Sequence, residues 1–205
     1  MTTATPSRSS LEKPKSTISP LATIVGVIVA VVLGMVVYPA AGDFITEAQL
    51  TAAGPFDYSS KKLGFSAQFP GEPEVTTATE STAGVEVELT SVMWESPTRS
   101  MGVAVAEVES LGIPDPSTLV PAGADALLKS MLDGAVANIK GGVLLDYDYG
   151  VVAGARSIHA DMDSDAGKLS VTLLVANGSF FTILANSDDD ADETAFIRSF
   201  GFVSD

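Results

Sequence analysis

The stretch 168-KLSVTLLVANGSFFTILAN-186 decides the fold. Two runs rich in β-branched and aromatic residues, Lys168–Ala176 and Ser179–Asn186, flank Asn177-Gly178. Asn and Gly both tolerate positive φ, so this dipeptide turns an antiparallel hairpin. Working upstream, Asp165-Ala166-Gly167 turns the chain again, and Ala155–Asp163 reads as the preceding strand. Ile158, Ala160 and Met162 fall on one of its faces, and Ser157, His159 and Asp161 on the other. Val143–Tyr149 is a further strand. Downstream, Asp190 can cap a short helix, with Glu193 as its capping-box partner. Ala195, Phe196 and Phe200 are expected to pack inward from it.

Further upstream the period changes. Leu128, Met131, Leu132, Ala135, Val136 and Ile139 follow the spacing of one helix face, closed by Gly141-Gly142. A proline-bearing loop, Gly112 to Pro121, precedes it. Before the loop, alternation returns: Phe65, Ala67 and Phe69; then Val85, Val87 and Leu89, running on toward Trp94; then Met101, Val103 and Val105. Strands, a helix, a run of antiparallel strands and a last helix give an α+β fold. Its economical form is a single antiparallel sheet with helices packed on it.

These residues resemble a known family. Gly64-Phe65-Ser66, Phe69-Pro70-Gly71 and Pro73 look like the opening strand of PsbP-like domains and of the related LpqN-type exported proteins. A later strand with Gly154 and Arg156, the run Phe180-Phe181-Thr182-Ile183-Leu184, and Ser199-Phe200 agree. The resemblance covers roughly residues 58–203. It implies a PsbP-like α/β/α sandwich and a mostly non-enzymatic role, as accessory or assembly subunits of membrane complexes or as envelope carriers and scaffolds. The LpqN-type lipoproteins carry a lipidated cysteine, and this chain has none.

The N-terminal part is different in kind. Leu21 to Tyr38 is uncharged and apolar. As a helix rising about 1.5 Å per residue it reaches roughly 27 Å, near the hydrocarbon thickness of a bilayer. Ser19-Pro20 suits a helix start, and Pro39 ends the run. Arg8, Lys13 and Lys15 against Glu12 leave residues 1–42 at +2, and residues 43–205 carry −17, which together give the net −15. Basic flanking residues stay in the cytoplasm, so the N-terminus is expected inside and the acidic body outside. The alternative is a cleaved secretory signal, whose apolar core is usually about 7–15 residues. Either way the body is exported. The expected organisation is a disordered cytoplasmic tail (1–17), a transmembrane helix (18–41), a linker (42–57) and an extracytoplasmic PsbP-like domain (58–205). Within the span, Ala22, Gly26, Ala30 and Gly34 form one stripe of small residues, a surface for close helix packing with itself or with a larger membrane protein.

Composition removes several chemistries. With no cysteine there is no disulfide, thiolate metal site or cysteine nucleophile, and one histidine precludes a multi-histidine site. An excess of 26 acidic over 11 basic residues has the wrong sign for nucleic acid. His159 as a general base lacks a G-x-S-x-G elbow to serve. Asp161, Asp163 and Asp165 alternate like a calcium loop, but Ala166 stands at its glycine position and Thr172 at its glutamate position. Asp188, Asp189, Asp190, Asp192 and Glu193 form the densest acidic run, a solubilising helix start or a patch for a basic partner. Met93, Trp94 and the proline loop border a groove, or Trp94 belongs to the core. No catalytic, cofactor or metal residue is assigned.

The expectation is thus a non-enzymatic single-pass membrane protein of the bacterial cell envelope, an accessory or assembly subunit of a larger membrane complex, in the respiratory or electron-transfer class. The alternative is a tethered module carrying a lipid or other apolar ligand.

Overall fold

A computed structural model of the chain describes residues 54–82, 85–107, 118–165, 167–187 and 190–203. The expected membrane span, with Ala22, Gly26, Ala30 and Gly34, lies outside these residues, as do Asp188 and Asp189 and most of the proline loop. Among the described residues no helix is long and apolar enough to cross a membrane.

The described residues form ten strands and two helices: β1 (Phe56–Ser60), β2 (Phe65–Phe69), β3 (Glu74–Thr82), β4 (Val85–Glu95), β5 (Ser100–Glu107), α1 (Pro121–Asn138), β6 (Val143–Val152), β7 (Ala155–Ser164), β8 (Gly167–Ala176), β9 (Ser179–Asn186), α2 (Asp190–Ser199) and β10 (Gly201–Phe202). A sheet of seven strands runs β3-β4-β5-β9-β8-β7-β6, with antiparallel neighbours throughout. The β8–β9 hairpin closes through Asn177 and Gly178, whose φ values of 52° and 74° are those the sequence anticipates.

The single expected sheet is two. β2 pairs with β1 and β10 in a separate three-stranded sheet. The alternation of Phe65, Ala67 and Phe69 is the reason. These side chains are buried against the seven-stranded sheet, which places β2 in a layer above it rather than at its edge. Phe65 meets Phe181 of β9 edge-on at 6.3 Å and stacks on Phe200 at 5.7 Å. α2 completes that layer through Phe196. Ala195, expected inside, is exposed, and Ile197 packs against the cluster instead.

On the opposite face lies α1. Leu128, Met131, Leu132 and Ala135 are fully buried against Ile158, Ala160, Val171 and Leu173. Pro121, read as the end of a loop, occupies the first helical turn, where its missing N–H costs nothing. With one layer on each face, β5, β8 and β9 are buried on both sides. That is why β8 and β9 read as apolar runs, while β5 shows Met101, Val103 and Val105 alternating with small Gly102, Ala104 and Ala106 that are buried as well. β1 begins at Phe56, inside the stretch read as linker. β3 is an edge strand whose Val75 is exposed, and it carries no apolar alternation to announce itself.

Candidate functional site

The alternation of β7 builds the site. Ile158, Ala160 and Met162 point to α1. Ser157, His159 and Asp161 point to the β2–α2 side, where coverage is uneven: Ser157 is buried, His159 half-buried and Asp161 exposed. The boundary between the covered and open parts of this face runs through His159. Glu193, in the first turn of α2, sits on the same boundary with 17% of its side chain exposed.

His159 Nε2 lies 3.7 Å from Glu193 Oε1 and 3.9 Å from Asp161 Oδ1. Its Nδ1 shares a 2.9 Å hydrogen bond with Oγ1 of Thr172, the residue opposite it on β8. Thr172 is fully enclosed by its neighbours, so it fixes the ring. Ser170 stands opposite Asp161 on the same face. It is 5% exposed, and its Oγ makes no hydrogen bond within the described structure. On the outer side, β6 sets Asp148 opposite His159 and Asp146 opposite Asp161. An imidazole, carboxylates and an unpartnered hydroxyl from three strands and a helix thus share one corner. Such a group can hold a cation or exchange protons with solvent. Sequence spacing brings together only His159 and Asp161, because Glu193 reaches the corner through tertiary packing.

The other residues singled out from the sequence are dispersed. Asp192 pairs with Arg99 at 2.7 Å, and Arg99 lies over the Trp94 ring at 5.6 Å. Asp190 opens α2. Asp165 bonds Lys140 at 2.9 Å, in the turn after β7, so Asp161, Asp163 and Asp165 do not converge on one point as a calcium loop requires. Trp94 is 3% exposed and belongs to the core beneath β2, and Met93 packs over Gly102 on the other face. Sequence reasoning passes over one further group. Arg156 of β7 binds Asp125 of α1 in a fork, lies over the Tyr149 ring at 5.5 Å, and Tyr149 donates to the Asp125 carbonyl. The hydrogen bond to Asp125 raises the Arg156 pKa, and burial, then Tyr147 nearby, raises that of Tyr149. Burial, then the charge of Glu74, raises Glu95 at the end of β4.

A depression of about 370 Å³ opens beside the small sheet, lined by Asp57, Tyr58, Ser59, Gln68 and Ser199 among others. It is open on one side and lined by polar and apolar atoms together.

No protein-family model matches the chain, and no curated protein does. Solved structures similar to it include cyanobacterial PsbP (CyanoP) from Synechocystis sp. PCC 6803, at a TM-score of 0.44 and 13% identity, covering 81% of this chain and 98% of that one. LpqN of Mycobacterium tuberculosis, described as involved in cell envelope biogenesis, gives 0.38 and 10%, over 80% and 100%. A Pseudomonas aeruginosa protein of unknown function, a putative regulator, gives 0.32 and 12%, over 68% and 88%.

Proposed function

We propose that the chain is a non-enzymatic, single-pass protein of the bacterial cell envelope. Its N-terminus is cytoplasmic, its span is residues 18–41, and its acidic domain lies outside. It serves there as an accessory or assembly subunit of a larger membrane complex. The observation that carries this reading is β6. It is one of the two edge strands of the seven-stranded sheet and presents Val143, Leu145, Tyr147 and Val151 at 55%, 52%, 40% and 64% exposure. An edge strand with exposed apolar side chains is a template for pairing, and the exposed Asp146 and Asp148 and the bulge between Leu144 and Asp146 restrict that pairing to a partner that brings basic residues. Here it suits an exported strand or loop of the membrane partner. Carriage of a lipid has less support. Both layers bury their large side chains against the sheet, and the depression beside β1 and β2 is open to solvent rather than an enclosed apolar cavity.

The test is Val143→Lys with Val151→Lys in the full-length protein. Both sites are exposed, so the domain folds as before. The reading expects a membrane partner that co-purifies with the wild type to be lost. Undiminished co-purification removes β6 as the contact.

A further inference from the structure

We propose that His159, Asp161 and Glu193 bind one divalent transition-metal ion of the zinc class, a property independent of how the chain docks. One donor atom from each lies within 4.8 Å of the other two. Nε2 of His159 stands 3.9 Å from Asp161 Oδ1 and 3.7 Å from Glu193 Oε1. Both gaps exceed hydrogen-bond reach, so this nitrogen faces two carboxylates without bonding either. Donors about 2.0–2.2 Å from one tetrahedral ion stand about 3.3–3.6 Å apart, so small rotations of the two carboxylates toward the ring close the set on an ion.

The ring is aimed for the task. Nδ1 and Thr172 Oγ1 share a 2.9 Å hydrogen bond, and in the tautomer with its proton on Nδ1 the Nε2 lone pair is free for an ion on the carboxylate side. A second-row hydrogen bond of this kind fixes the tautomer of metal-binding histidines. Ser170 adds an independent sign. It is 95% buried, stands opposite Asp161 on the same face, and its Oγ has no partner. Buried hydroxyls are rarely left so, and a water held by the ion would satisfy this one. Asp148 and Asp146 face the corner from β6 and add negative field. One imidazole with two carboxylates suits zinc or manganese. Calcium takes six to eight oxygens and gains little from the ring. The half-exposed ring and the exposed Asp161 leave an entry path and room for bound water.

The experiment is calorimetric titration of the detergent-purified full chain, free of any polyhistidine tag, with zinc chloride, alongside thermal melting. The expected result is saturable uptake of one ion per chain and a raised Tm. His159→Ala and Glu193→Gln lose both effects while melting normally without zinc. Thr172→Val keeps the donors and weakens binding about 10–100-fold. Should His159→Ala not fold, the near-isosteric Glu193→Gln carries the comparison. Absence of saturable uptake overturns the site. So does equal uptake by the variants, or calcium binding as tight as zinc.

Discussion

Arg156 of β7 holds Asp125 of α1 through two hydrogen bonds, Nε to Oδ1 at 2.7 Å and Nη2 to Oδ2 at 3.0 Å. The pair fastens the N-terminal half of α1 to β7, beside the buried Ala124 and Leu128. A planar fork matches a carboxylate as an ammonium cannot. Arg156→Lys is therefore expected to lower the melting temperature nearly as much as Arg156→Ala. A double-mutant cycle with Asp125→Asn should show coupling that weakens in high salt. Additive losses would mean the pair contributes nothing as a pair.

The β6–β7 turn holds Ala153 at φ 50° followed by Gly154 at φ 88°. An alanine in the left-handed region costs roughly 1 kcal/mol relative to a residue that accepts it. Ala153→Gly or Ala153→Asn should raise unfolding stability in urea by a few tenths to about 1 kcal/mol. A loss of stability would show that the alanine methyl makes a contact worth more than the strain.

Phe65 is buried between the two sheets and touches Tyr58, Phe181 and Phe200. Phe65→Ala should cost about 3–5 kcal/mol. Tyr147→Ala, on the exposed outer strand, should cost far less. Comparable losses in denaturant melts would contradict the placement of β2 over the sheet.

Glu95 has its pKa raised by burial and by Glu74. The folded state then binds its proton more tightly than the unfolded state does. That contribution is full below the ordinary carboxylate range and is lost as pH rises through the raised value. Glu95→Gln should be more stable than the wild type at pH 7, and the advantage should vanish toward pH 4. An advantage that persists unchanged into acid would assign it to something other than this ionisation.

The sequence makes legible whatever depends on local pattern. The Asn177-Gly178 turn, the inward set of α1 and the two faces of β7 all follow from φ tolerance and from periods of 3.6 and 2. The second sheet is not legible, because nothing local says that Phe65, Ala67 and Phe69 pack onto another sheet rather than join it. β3 carries Thr, Ser and Glu with only Val75, at 51% exposure, and the small Ala78 as apolar residues, so its pattern is mute. At the candidate site, His159 and Asp161 share a strand face and can be paired on paper. Glu193 comes from a helix that lies two hairpin turns further along the chain, and in the sequence it looks like a capping residue. Ser170 looks like any strand serine until its burial is known.

The central claim, attachment to a larger membrane complex, rests on residues 18–41 as well as on β6. On the proposed transmembrane helix Ala22, Gly26, Ala30 and Gly34 would share one face and allow close approach, and Gly26→Leu with Gly34→Leu would hold a neighbouring helix away. The most direct measurement is purification of the tagged full-length protein in mild detergent, with mass spectrometry of what accompanies it, beside the Gly26→Leu/Gly34→Leu double variant. The expected result is a stoichiometric integral membrane partner with the wild type that is lost with the variant. A clean monomer or homodimer, or a partner retained by the variant, would contradict it.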